Sequence, residues 1–294
     1  MNLIKHFFQN DFDNNEGVLI LNNDEKYVKN FGKQWRDYQY VQVDSKNNFQ
    51  HSKNQLKDLF FGNLDLMKNK TVLEIGCGSG RFTEIILEYC KYCFSLDLSN
   101  AIYFNVCKGN KKLQLIKADF NEIQIKNNID IIICRGVLQH TPNPSNSIKQ
   151  LINLAGKNSL IIFDIYKYPV LGFFHPKYLY WRPLINKFYN YESFEKFLKR
   201  NIKKIIKIRR NFKRIFFNSD IIADFFFPIW DYKDKINLTD NQLIEWAILD
   251  TLDGIFAKYD KPLKNSKVIE ILNNLPVKII KKNNKNYFIV QKII

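Results

Sequence analysis

Apolar positions divide the 294-residue chain into a middle stretch of short continuous runs and flanking stretches where they recur at helical spacing. Runs at about 71–76, 92–97, 113–117, 129–134 and 158–165 predict strands. They are too uniformly apolar to leave a wet face, as in a parallel sheet covered on both sides. Between them the spacing predicts helices from about Arg81 to Tyr89, Asn100 to Lys108 and Pro144 to Leu154, the last opened by Asn143 ahead of a first-turn proline. Strands alternating with helices imply an α/β domain with right-handed crossovers. Upstream, Leu56, Leu59 and Phe60 share one face of a helix expected from about Ser52 to Phe61. Downstream of Tyr168 the alternation stops. The stretch to about Asp260 is rich in aromatic and basic residues and long for a strand-to-helix connection, so it reads as a helical insertion. Thr239-Asp240-Asn241-Gln242 has the form of a capping box inside it. A short helix at about Ser266 to Leu272 and a hairpin of Val277–Lys281 with Tyr287–Gln291 close the chain.

The first run leads into Thr71-Val72-Leu73-Glu74-Ile75-Gly76-Cys77-Gly78-Ser79-Gly80-Arg81-Phe82, a strand, a glycine loop and a helix start. Glycines let the backbone turn sharply and approach a ligand without a Cβ, and the amides of the following helix start face that ligand. The second run ends in Asp97, about twenty residues beyond the first glycine, the offset of a ribose-binding acid. A dinucleotide fold shares that offset, but the loop here is Gly-x-Gly-x-Gly and Glu74 precedes it. An acid at that position repels a pyrophosphate and suits a cationic ligand. Ligands of such sheets bind outside the carboxyl ends of the strands, where Glu74 to Gly80, Asp97, Asp119 and Arg135 to His140 all fall.

The pattern of Glu74, Gly76, Gly78, Gly80 and Asp97 resembles the class I S-adenosylmethionine-dependent methyltransferases. Lys117-Ala118-Asp119-Phe120 resembles their adenine-binding segment, and Asp130 to Pro142 their fourth strand and its loop. The resemblance implies a Rossmann-like α/β fold with a seven-stranded sheet whose last strand is antiparallel. It implies an N-terminal helical cap over residues 1–68, a cofactor-binding core over 69–167, a helical substrate-cap insertion after strand 5 over 168–262, and a C-terminal helix and hairpin over 263–294. S-adenosyl-L-methionine is the implied cofactor. Glu74, Gly76, Cys77, Gly78 and Gly80 would serve its amino-acid portion, Asp97 and Leu98 the ribose, and Asp119 and Phe120 the adenine. Arg135 joins this cofactor set, with Glu74, Asp253 or an anionic group of the substrate as alternative partners.

Two further stretches resemble a subgroup associated with surface-glycan and lipid-linked sugar pathways: Phe31-Gly32-x-x-Trp35 followed by Tyr38, and Trp246-x-x-x-Asp250-Thr251-Leu252-Asp253 with Tyr259 beyond. This puts Trp35, Tyr38, Gln139, His140, Asp250, Asp253 and Tyr259 on the acceptor side. His140 is the candidate general base, since a near-neutral imidazole can take a hydroxyl proton; capping the turn before Pro142 is its alternative role. Gln139 stands where the subgroup often has the first of two histidines, which favours positioning over base catalysis.

Composition adds limits. Five cysteines, mostly within predicted elements, fit reduced buried thiols, and Cys90-x-x-Cys93 has no second ligand pair, so no metal is expected. The first residues lack a secretory pattern and no run reaches membrane-span length, so a cytoplasmic protein is expected, with peripheral contact at the inner membrane face as an option. The net charge of +16 is consistent with an anionic partner or with a lysine- and asparagine-rich background. Its densest expression is residues 194–216, a basic amphipathic pattern suited to an anionic membrane or to a solvated helix with its apolar face on the core. No Asn/Asp-Pro-Pro-Tyr/Phe follows the fourth strand, which disfavours DNA. A saccharide or related small metabolite, lipid-linked or free, is the expected acceptor. The rival readings are an RNA methyltransferase using the basic insertion and a non-catalytic cofactor-binding or membrane-associated scaffold.

Overall fold

The computed structural model describes residues 2–21, 24, 25, 27–216, 219–233 and 235–294. One unit comprises Met1–Tyr168 with Tyr259–Ile294, the other Pro169–Lys258. The first unit is built on strands β1 (Asp13–Asn15), β2 (Val18–Ile20), β3 (Thr71–Ile75), β4 (Tyr92–Asp97), β5 (Leu113–Lys117), β6 (Ile131–Cys134), β7 (Leu160–Asp164), β8 (Val277–Lys282) and β9 (Tyr287–Lys292). Their order across the sheet is β1-β2-β5-β4-β3-β6-β7-β9-β8. From β2 to β7 all pairs are parallel, and β9 enters antiparallel between β7 and β8. This is the methyltransferase-type, Rossmann-like α/β fold with a mixed sheet.

The sheet has nine strands, not the expected seven. The additional pair is the hairpin β1–β2, in which Asn15 pairs with Val18 across a two-residue turn of Glu16 (φ 52°) and Gly17 (φ 81°). Two consecutive left-handed residues match the twist of a hairpin. β2 then docks beside β5, burying Val18 and Ile20.

The central parallel strands β3, β4, β6 and β7 are mainly apolar because residues from both of their faces are buried in cores. On β6, Ile132 and Cys134 face the core that includes Phe94, Ile148, Leu151, Val268 and Leu272, so helices Pro144–Asn153 and Asn265–Asn273 lie on that side. Ile131 and Ile133 face the opposite core with Leu56, Leu59, Ile85 and Ile86, from helices His51–Leu59 and Thr83–Tyr89. Each fully buried Leu, Ile or Phe contributes about 1.5–3 kcal/mol relative to exposure. The helix expected from Asn100 to Lys108 is instead a 3-10 turn, Asn100–Phe104. Asn105 ends it, because its side chain turns to accept from the Cys107 amide at 3.0 Å.

In the second unit, helix Tyr191–Ile215 runs 25 residues from a capping box of Asn190 and Ser193. Asp240–Phe256 starts at the expected box of Thr239 and Gln242. Among the described residues no helix is long and apolar enough to cross a membrane.

Candidate functional site

The carboxyl ends of β3, β4, β5 and β6 carry the chemistry-bearing side chains of the first unit. At the end of β3 the chain turns through Gly76 (φ 77°), Gly78 (φ 50°) and Gly80 (φ 95°), held down by the Gly76 and Cys77 amides donating to the Leu96 carbonyl at 2.7 and 3.1 Å. The three glycines are required for different reasons. A Cβ on Gly76 would lie 2.1 Å from Val137 Cγ2, and one on Gly80 would lie 2.5 Å from Asn105 Oδ1, so both serve packing within the protein. At Gly78 the nearest atoms to an added Cβ belong to the Trp35 ring, at an ordinary 3.6 Å. Trp35, expected on the acceptor side, thus lies over the middle of the glycine loop, and Tyr38 is buried one helical turn on.

Glu74 is 3% exposed and its Oε2 accepts from Thr83 Oγ1 at 2.7 Å and Ser95 Oγ at 2.6 Å. Burial pushes its carboxyl up to about 7, against the pull of those two hydroxyls. Cys77 is a buried neutral thiol, its ionisation pushed up by the same loss of solvent.

Asp97 closes β4. Its Oδ2 accepts from the Gly78 amide at 2.7 Å, and its Oδ1 from the Ser99 amide and hydroxyl at 2.8 and 2.7 Å. The strand-end acid is therefore fixed to the glycine loop, and burial raises its ionisation despite these donors. Leu98 is buried beside it. On the next strand Asp119 accepts from the Asn121 amide and side chain at 3.0 and 2.7 Å, while Phe120 packs into the main core.

Arg135 follows β6, and its guanidinium pairs with Asp164 and donates to the Tyr287 hydroxyl at 3.3 Å. Among the described residues Glu74 is not its partner. Glu74 is taken by Thr83 and Ser95, and Asp164, at the end of β7, receives both Arg135 and the Gly136 amide at 2.6 Å.

His140 ends the same loop. Its Nδ1 lies 3.0 Å from the Tyr259 carbonyl. A carbonyl only accepts, so Nδ1 is the donor, which in a neutral imidazole leaves the lone pair on Nε2. Phe31 and Tyr166 pack on the imidazole at centroid distances of 4.9 and 5.5 Å. Gln139 is fully buried; its Oε1 accepts from the Tyr166 amide at 3.4 Å, and among the described residues its Nε2 meets no acceptor. The returning chain closes this region, with the Lys261 amide donating to the Gln139 carbonyl at 2.9 Å.

Sequence reasoning missed Glu25 and Tyr27. Glu25 accepts from the Asn100 amide at 2.9 Å, just after the Asp97 turn. The Tyr27 ring meets Tyr259 edge-on at 5.5 Å, and burial, then the charges of Asp119 and Asp97, push its phenol up. No motif marked them; an acid and an aromatic shortly ahead of Phe31 were the available signal. Asp250 and Asp253 belong to the second unit, where Asp250 accepts from Tyr232 and from Trp246 Nε1 at 3.2 Å.

The first unit thus brings together a glycine loop, the carboxylates of Asp97 at the end of β4 and Asp119 just beyond β5, and an imidazole whose Nδ1 is held by a carbonyl. The donor set fits a nucleoside with a cationic tail: carboxylates to accept hydroxyl and amino protons, and a glycine where an added Cβ would meet the Trp35 ring first, at ordinary contact distance. Residues 47–207 match the family described as "Methyltransferase domain". Among curated proteins, ubiquinone biosynthesis O-methyltransferase of Coxiella burnetii is 27% identical over 119 residues, 36% of this chain and 50% of that protein. Ribosomal RNA small subunit methyltransferase A of Mesomycoplasma hyopneumoniae is 38% identical over 74 residues, 24% of this chain and 28% of that protein. The chain spans about half the length of the first of these relatives. Among solved structures, the N-methyltransferase NodS of Bradyrhizobium japonicum with S-adenosyl-L-homocysteine aligns over 40% of this chain and 62% of that one, at 19% identity and a TM-score of 0.35.

Proposed function

The chain belongs to the methyltransferase-domain family, and on that premise we propose that it transfers a methyl group from S-adenosyl-L-methionine to a hydroxyl, amine or carboxylate of a small molecule, with saccharides and lipid-linked saccharides as first candidates. The observation that carries this reading is Asp97, fixed to the Gly78 amide at 2.7 Å beside the end of β5. A half-buried carboxylate that keeps lone pairs beyond its three protein donors suits a ribose diol. In this reading Asp119 accepts from the adenine amino group, and the amides around Gly78 approach the amino-acid portion. The cofactor supplies an electrophilic methyl carbon on a positive sulfur. The chain's own task is to hold the acceptor in line and exclude water, and alignment alone is worth roughly 7–11 kcal/mol. With a hydroxyl acceptor, His140 Nε2 takes the proton while the Tyr259 carbonyl fixes the ring through Nδ1–H. Gln139 Nε2 offers a donor to the acceptor. The similarity to a ubiquinone biosynthesis O-methyltransferase supports a small acceptor. A lipid-linked one would bring the protein to the inner face of a membrane.

The test is calorimetric titration of S-adenosylmethionine and S-adenosylhomocysteine into wild type and Asp97→Ala, with NAD as control. Wild type is expected to bind both sulfur nucleosides and not NAD, and the variant to lose them. Binding of NAD alone, or sulfur-nucleoside binding unchanged in the variant, refutes the assignment. With an acceptor in hand, His140→Gln is expected to lower kcat by about 10²–10⁴ if a hydroxyl is methylated.

A further inference from the structure

The helical unit carries a surface that the methyl-transfer reading does not use. Helix Tyr191–Ile215 buries Phe194, Leu198, Ile202 and Ile206, and turns the opposite side to solvent. Its cations are sorted between the two sides. Arg209 is 2% exposed and donates to Asp220 and Asp224, Arg210 binds Asp231 through two nitrogens, and Lys213 binds Asp220. Lys196, Arg200, Lys203, Lys204, Lys207 and Arg214 are exposed, and among the described residues none of them takes part in an ion pair. Glu192, at the start of the helix, is the one acid exposed on it.

Apolar side chains border this basic strip. At about 100° per residue, Phe197, Ile208 and Ile215 fall within about 20° of one another, along one edge of the exposed arc. All three are exposed, Ile215 to 74%. Near one end Phe197 lies against Tyr189, at a centroid distance of 5.9 Å, and the neighbouring Phe188 is 68% exposed. At the other end Phe212 stacks on Phe216 and packs on Phe226 at 4.4 and 4.9 Å, and Phe226 is 59% exposed. The two apolar pads are separated by roughly 27 Å of helix.

From this sorting we infer that the exposed face of Tyr191–Ile215 docks the protein in the plane of an anionic lipid surface, lysines on the headgroups and Phe197, Ile208 and Ile215 below them. The charge is complementary to an anionic leaflet, and branched aliphatic side chains beside the cations match the acyl boundary better than a nucleic-acid backbone, which offers them nothing apolar. The inference rests on the helical unit alone and holds whatever the acceptor proves to be.

The experiment is co-sedimentation of the full chain with vesicles of phosphatidylcholine alone or with one-third phosphatidylglycerol, at low and high salt. Binding is expected only to the anionic vesicles and to fall with salt. Each basic residue near such a surface contributes roughly fivefold in partitioning, so Lys203→Gln/Lys204→Gln/Lys207→Gln should bind roughly a hundredfold more weakly. Phe197→Ser/Ile215→Ser should weaken binding at every salt concentration. Retained titration of S-adenosylhomocysteine, or an unchanged melting curve should the protein bind no nucleoside, shows each variant folded and separates this inference from the methyl-transfer reading. No binding to anionic vesicles, equal binding to neutral ones, or binding that survives both variants overturns the inference. So does tighter, salt-sensitive binding of the wild type to a mixed RNA, unaffected by Phe197→Ser/Ile215→Ser.

Discussion

Glu74 makes the stability of the first unit depend on pH in a direction opposite to that of most carboxylates. It is 3% exposed, and among the described residues its donors are two hydroxyls, Thr83 and Ser95, with no cation to offset the loss of water around a carboxylate. Its ionisation is accordingly raised from 4.5 to about 7 in the folded chain. A carboxyl with a raised folded value binds more protons folded than unfolded. Its contribution is fully present below about 4.5 and is lost as pH rises through about 7. A rise of that size corresponds to about 3 kcal/mol at and above pH 8. Glu74→Gln removes the titration while keeping an oxygen for the two hydroxyls, and it costs about 1–3 kcal/mol where its new amide hydrogens find no acceptor. Urea unfolding of both proteins at pH 5 and pH 8 reads the difference. Wild type should lose about 2.5 kcal/mol more than Glu74→Gln between the two pH values, the first part of the effect being already lost at pH 5. Equal losses in the two proteins would show that Glu74 is ionised throughout, and the reasoning from burial would fail.

Gly76→Ala should destabilise by about 2–5 kcal/mol, combining a left-handed backbone with a Cβ placed 2.1 Å from Val137 Cγ2; in a double-mutant cycle by urea unfolding, Val137→Ala should recover the steric part but not the backbone part. Arg135→Ala leaves Asp164 buried without its cation and should cost about 3–5 kcal/mol. Lys285→Ala, which breaks the exposed pair with Asp58, should cost under about 1 kcal/mol in the same assay.

What was legible in the sequence follows from how local each cause is. β3, β4, β5, β6 and β7 were legible because burial on both faces leaves mainly apolar runs that alternate with helical patterns. The glycine loop and Asp97 were legible because both close such runs. β1 and β2 were not, because three residues each carry no periodicity and the Glu16-Gly17 turn is a weaker signal than Asn-Gly. The helix predicted past Asn100 gave way to contacts no local pattern shows: Asn105 fills the space beside Gly80, and the Val106 amide donates to the Ser79 carbonyl at 2.9 Å. Asp164 escaped notice as the partner of Arg135 because the two are 29 residues apart and meet only once β6 and β7 pair. The tautomer of His140 was equally out of reach, since it is set by the carbonyl of Tyr259, 119 residues downstream.

Charge illustrates the same limit from the other side. A count of cations in 194–216 treats them all alike, yet the fold sorts them by position: Arg209, Arg210 and Lys213 meet acids, while Arg200 and Arg214 are exposed like Lys203, Lys204 and Lys207. Arg209 and Arg210 turn inward because a planar guanidinium can bind two oxygens in a fixed geometry, as Arg210 does to Asp231 at 2.7 and 2.9 Å. The acids they meet, Asp220, Asp224 and Asp231, all follow the helix, so the chain must double back before these charges are neutralised. Burial works against the Asp220 carboxylate, but Lys213, Lys235 and Arg209 still hold it well below the usual carboxylate range. The consequence is a segregation: the arginines nearest the returning acids stabilise the fold, and the lysines earlier in the helix keep their charge for solvent or a partner. A vesicle-binding variant that neutralised Arg209 and Arg210 would therefore test folding, whereas Lys203, Lys204 and Lys207 test the surface.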